Sequence, residues 1–249
     1  MVIRYLGLWF GSVLIGTMLF SSCVNDGLQV GGVSKNDTTL AMDAVELFYE
    51  GKHIESLRIL GYSIEEHPDV AELYFWKAKN MVALNNLSEG LKAYNMAIKY
   101  NPDMAKYYNN RGLLYMSYGE AEKAKSDFKE AIEKDGSLAA AYNNLGLVRS
   151  GEGSDEDAIK WYTKAIELNR SESFLYNRAV SFINLAEFQE AIQDFTDLID
   201  QNPTNAPAFL YRGVAKFKLG QELEACEDFK RARELGSVDA NQYLEHCNL

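Results

Sequence analysis

The side chains with the chemistry to act on a substrate or hold a metal are few, and their spacing does not suit either task. There are three cysteines, Cys23, Cys226 and Cys247, and three histidines, His53, His67 and His246. A zinc site draws on thiolates in CxxC-type pairs or on histidines one helical turn apart, and neither spacing occurs. No glycine-rich loop follows a strand-like run to cradle a phosphate, and no serine–histidine–acid or cysteine–histidine set can be assembled. The acidic runs Glu130–Glu133 and Asp194–Asp197 read as solvated helix faces. These observations name no catalytic residue, metal ligand or cofactor, and they point away from an enzyme. What remains is a thiol near the start of the chain, Cys23, and a set of amides, Asn109, Asn110, Asn143, Asn144 and Asn177, each able to donate and accept hydrogen bonds.

The elements that carry these groups must come from an ordinary globular composition. Of 249 residues, 47% are hydrophobic and 24% charged, enough to build a packed core. The net charge of −11 repels phosphate backbones and anionic lipid surfaces, so a nucleic-acid partner is not expected. Three cysteines are too few for a disulfide-built fold.

The first residues form an address. Arg4 is the only charge before Asp26, and Tyr5 to Phe20 is apolar apart from glycines, Ser12 and Thr17. A basic start, an apolar run and small residues before a cut site describe a secretory signal. The stretch Leu19–Phe20–Ser21–Ser22–Cys23 resembles the lipobox of bacterial lipoproteins, although Phe20 and Ser22 stand where leucine and glycine or alanine are commonest. That resemblance implies cleavage of residues 1–22 and acylation of Cys23. An uncleaved anchor over residues 5–24, long enough to span a bilayer, and an ordinary signal with Cys23 incidental are the other readings. Val24 after the cysteine argues, by analogy with lipoprotein sorting, against retention at the inner membrane. The expected location is the bacterial cell envelope, lipid-anchored at the outer membrane and facing the periplasm or the surface. Residues 23–36, glycine-rich and aperiodic, read as the lipidated tether.

From Asp37 onward the chain repeats. Units begin at Asp37, Ala71, Ala105, Ala139, Glu172 and Ala206, a period of about 34 residues, giving repeats 37–70, 71–104, 105–138, 139–171, 172–205 and 206–239. The eighth slot is always small (Ala44, Ala78, Gly112, Gly146, Ala179, Gly213), and so is the twentieth (Ser56, Gly90, Ala124, Ala158, Ala191, Ala225). The twenty-seventh is small except for Leu198. The twenty-fourth is large (Leu60, Tyr94, Phe128, Tyr162, Phe195, Phe229), and the fifteenth suits a left-handed turn (Gly51, Asn85, Gly119, Gly153, Ala186, Gly220). Small slots let two helices approach and large ones fill the space between neighbours, so stacking supplies a core that no single unit could bury. Residues 240–249 restart the pattern without completing it and read as a capping helix. Cys226 and Cys247 read as small packing residues, and a bond between them in an oxidising compartment is left open.

This code resembles the tetratricopeptide repeat (TPR) family over residues 37–239. It departs at the eleventh slot, where Arg149 and Lys216 replace a large apolar residue, and those departures put the helix boundaries there in doubt. The resemblance implies an all-α, right-handed superhelix of six helix–turn–helix repeats plus a C-terminal capping helix. In the family, fixed slots of each first helix line a concave groove. Transferred here, the groove holds an amide column of Asn110, Asn144 and Asn177, doubled by Asn109 and Asn143, set among Phe75, Tyr176 and Phe217. Two readings stand side by side: asparagine is simply common at this slot in the family, or the column reads a peptide backbone, in which case it lies open to solvent and adds little to folding. The function implied is a membrane-anchored adaptor that binds a protein or peptide segment in envelope assembly, either pilotin-like or as an adaptor for hydrolases. The alternative is a lipoprotein that binds a glycan or small molecule.

Overall fold

The computed structural model of the protein describes residues 35–247, with side chains from residue 41 onward. The signal-like segment, Cys23 and the tether as far as residue 34 lie outside the described residues. Among the described residues there are thirteen helices and no strand. They are α1 (Lys35–Tyr49), α2 (His53–Glu66), α3 (Ala71–Ala83), α4 (Leu87–Tyr100), α5 (Ala105–Ser117), α6 (Ala121–Lys134), α7 (Ala139–Gly151), α8 (Asp155–Leu168), α9 (Glu172–Asn184), α10 (Phe188–Gln201), α11 (Ala206–Lys218), α12 (Glu222–Glu234) and α13 (Ala240–Leu244). The protein is thus all-α and built of helix–turn–helix repeats. Helix α1 already includes Lys35 and Asn36, which the sequence assigns to the tether.

One turn, made six times, joins the two helices of each repeat. The backbone is left-handed at Gly51, Asn85, Gly119, Gly153, Ala186 and Gly220, with φ between 59° and 77°. The next N–H then reaches back to a carbonyl of the first helix: Lys52 to Leu47, Asn86 to Met81, Glu120 to Tyr115, Ser154 to Arg149, Glu187 to Phe182 and Gln221 to Lys216, all within 2.8–3.0 Å. This closure satisfies carbonyls that the helix end would otherwise leave bare. It also explains why Arg149 and Lys216 disturb nothing at the eleventh slot: the turn uses the backbone carbonyl there, and α7 and α11 have the same 13-residue length as α3.

The small slots work by contact. A Cβ added to Gly112 would sit 2.6 Å from the Phe128 ring, one on Gly146 2.6 Å from Tyr162, and one on Gly213 2.7 Å from Phe229. The glycines of the first helices are therefore the space into which the large residues of the second helices fit.

By its contacts the chain divides into two compact units, one ending at Ala141 and the other beginning at Tyr142. In the first, Leu60, Leu73, Phe75, Trp76, Tyr94 and Tyr107 form the centre of the core. In the second, Leu175, Phe195, Leu198, Phe209 and Phe229 do so. The second unit ends in α13, one short turn whose Ala240 is buried and whose Tyr243 stacks on Phe229 with centroids 4.8 Å apart. Cys226 and Cys247, read from sequence as packing residues, form a disulfide with Cα atoms 5.8 Å apart. Their slots face each other because the cap folds back onto α12, and the repeat pattern does not encode that reversal.

Candidate functional site

Within each unit, residues three and four apart on a first helix share one face. On α3 that face presents Glu72, Phe75, Trp76 and Lys79, and on α5 Lys106, Asn109, Asn110 and Leu113. Glu72 is buried and fully engaged. It accepts from Trp76 Nε1 (2.9 Å), Lys106 Nζ (3.0 Å) and Tyr107 Oη (2.9 Å). Phe75, expected in the groove, is fully buried among Trp76, Tyr94 and Tyr107 and belongs to the core. A ring at its slot sits between two first helices and so faces the neighbouring repeat. Trp76 meets Phe48 and Tyr49 of α1 at 5.5 and 6.0 Å. Met42 and Tyr49, on the same side of α1, are 61% and 53% exposed.

The amides are not an open column. Asn109, Asn110, Asn143, Asn144 and Asn177 are all buried. Asn177 Nδ2 donates to Asn143 Oδ1 at 2.9 Å, which links α9 to α7. Asn143 Nδ2 approaches Asn144 Oδ1 at 3.5 Å, and Asn110 Nδ2 donates to the Lys106 carbonyl at 2.8 Å. The Asn143–Asn177 pair runs from the fifth slot of one repeat to the sixth slot of the next, so it holds two first helices together. The expectation of an open, solvent-accessible column is corrected by this burial, and for Asn143 and Asn177 so is the expectation of little part in the packing of helices.

In the second unit Tyr176, half-buried, meets Phe195 and Tyr211 edge-on at 5.9 Å each. Burial raises the hydroxyl of Tyr176 well above the ordinary tyrosine range and pushes that of Tyr211 in the same direction. Phe217 is 36% exposed and stands open on α11. On the second helices, Asp194 is buried rather than solvated: Arg178 grips it with Nε and Nη2, both at 2.8 Å. The same bracket joins Arg111 to Asp127 and Arg212 to Asp228. Each arginine also reaches the second helix of the preceding repeat, at Asn95, Thr163 and Thr196. The sequence does carry the signal, since arginine in the seventh slot recurs with aspartate in the twenty-third. His53 Nδ1 lies 3.1 Å from Asn80 Oδ1 and ties α2 to α3. Among the described residues no group of three His, Cys, Asp or Glu could hold a metal ion.

Two tetratricopeptide repeat family models match the chain, over residues 105–135 and 139–172 and over residues 176–240. The chain is a tetratricopeptide repeat protein. No curated protein is significantly similar to this TPR protein by sequence. Solved structures similar to it include PilF of Pseudomonas aeruginosa (TM-score 0.74, 19% identity, covering 84% of this chain and 97% of that one). Another is PilW, a type IV pilus biogenesis factor (TM-score 0.74, 15% identity, 85% and 100% covered). A third is YrrB, a TPR protein with an unusual peptide-binding site (TM-score 0.63, 22% identity, 76% and 96% covered).

Proposed function

We propose that this TPR protein is a lipid-anchored adaptor of the bacterial envelope whose first-helix face holds a segment of a partner protein. The observation that carries the reading is the composition of that face. In a chain of net charge −11, its groove slots hold a single acid, Glu72, already engaged by three donors. Apart from three lysines, Lys79, Lys106 and Lys218, the rest is apolar, aromatic, amide or hydroxyl, with Tyr49, Trp76 and Leu113 in the first unit and Leu147, Tyr176, Val180 and Phe217 in the second. A face nearly cleared of acid in a strongly acidic chain suits a largely apolar protein segment. The repeats of this family are generally non-catalytic interaction scaffolds, and YrrB carries a peptide-binding site on the same fold. Asn109, Asn110 and Asn144 then shape the wall of the groove, and Asn143 with Asn177 holds α7 and α9 in register.

Two further observations support the envelope. Disulfides such as Cys226–Cys247 persist in oxidising compartments, which fits export of the repeats. The lipobox-like Cys23 supplies the anchor, with acyl chains worth about 0.8 kcal/mol per buried CH₂. Likeness in fold to PilW and PilF favours a pilotin-like role over a hydrolase adaptor.

The test is site-specific photo-crosslinking in intact cells. A photoreactive residue at Tyr49, Leu147 or Phe217 should give one discrete adduct, and one at Lys160 or Glu227 on second helices should give none. Equal adducts from both sets would reject the face. For the anchor, Cys23→Ala should abolish labelling by a fatty-acid analogue. Persistent labelling of that variant would reject acylation at Cys23.

A further inference from the structure

Among the described residues of the first unit, Lys79 is a buried cation whose charge is left without an acceptor. Its side chain is 4% exposed, and its Nζ has no hydrogen-bond partner among the described residues. The ammonium lies over three rings instead: Trp76 at 4.7 Å, Phe48 at 5.1 Å and Phe75 at 5.6 Å. Ring faces attract a cation, but they do not replace the acceptors that three N–H donors lose on leaving water. Lys106, on the next first helix, has both a ring and Glu72. The acid that could have served Lys79 is thus already used. A buried, unpaired ammonium costs stability, so the fold gains nothing from it as it stands.

We propose that Lys79 is the seat of a carboxylate carried by the partner: an aspartate or glutamate side chain next to an apolar residue. This rests on the peptide-binding reading above and names the chemistry of the segment bound. The flexible four-carbon stem lets the ammonium turn outward to meet the acid. The apolar neighbour of the acid lies on Tyr49 and Trp76, whose rings already meet on this face. No other free cation is offered by the slots of α1, α3 and α5 that line this face, so one carboxylate fixes the register of the segment.

The test is selection of a random dodecapeptide phage library on the soluble repeats, wild type and Lys79→Met. Wild type should enrich peptides with an acid at one fixed place beside an aromatic or aliphatic residue, and Lys79→Met should lose that acid while keeping the apolar preference. The top peptide and its Asp→Asn or Glu→Gln twin are then synthesised. Wild type should prefer the acid by about tenfold, the worth of a charge-assisted bond, and Lys79→Met should show no preference. Because methionine fills the same aromatic cage, the variant should melt no lower than wild type. The twin peptides on wild type decide the matter even if that variant does not fold. Enriched peptides without an acid, or equal affinity of the twins, overturn the seat and leave the peptide-binding reading standing. No enrichment at all overturns both. Acid selection seen only with Asp26→Asn in the full chain would assign the seat to the protein's own tether and overturn a partner carboxylate.

Discussion

Ala186 carries a Cβ into a backbone conformation that its counterparts reach as glycine or asparagine. Its φ of 59° brings that Cβ close to the following carbonyl, at a cost of roughly 1–2 kcal/mol for an L-residue. Glycine removes the clash and restores some freedom to the unfolded chain. Ala186→Gly should therefore raise stability by up to about 1 kcal/mol, read from the urea midpoint at unchanged slope. The opposite change is instructive at a different slot. Gly146→Ala puts a methyl 2.6 Å from the Tyr162 ring, in a core where the ring has little room to move. The expected loss is about 1–3 kcal/mol. A neutral result would show that the ring can retreat and that the slot requires less than it appears to.

The brackets between helices invite a double-mutant cycle. Arg178 and Asp194 have side chains 19% and 4% exposed. Arg178→Ala strands a buried carboxylate and should cost about 3–5 kcal/mol, whereas Arg178→Leu with Asp194→Leu should recover most of that loss. The fourth repeat already shows such an apolar version, with Leu145 and Trp161 at those slots. If the double variant is as unstable as the single one, the pair contributes geometry that apolar packing cannot replace. The cycle also marks where sequence was sufficient and where it was not. Helix pairing was legible because close packing leaves a one-residue signature: Gly112 implies a ring such as Phe128 opposite it. The amides were misread because Asn143 and Asn177 look alike whether they face solvent or each other, and only the packing of α7 on α9 decides which. Asp194 reads as solvated only when its run is considered without the arginine sixteen residues before it. Phe75 was misplaced for a related reason, since a slot number gives a face but not what covers it.

At the scale of the molecule, a stack of repeats has no natural last member. Each helix pair leaves a surface shaped to receive another, and only a cap with a different outer face ends the series. Here the cap is α13, five residues long and too short to hold itself by helical hydrogen bonds alone. Tyr243 on Phe229 and the Cys226–Cys247 bond keep it in place. Closing a loop with a sequence separation of 21 is worth about 3 kcal/mol in the chain-entropy account. Cys247→Ser should lower stability by about that much, and hydrogen exchange should show protection lost first in α12 and α13. What leaves with the cap is more than stability. An uncovered α12 offers the same apolar stripe that every internal repeat uses to bind its successor, and a head-to-tail contact of that kind does not close on itself. The disulfide thus acts as a chain terminator: oxidised, it keeps the protein a unit of fixed length. Reduced protein should grow with concentration in light scattering while the oxidised protein keeps its mass.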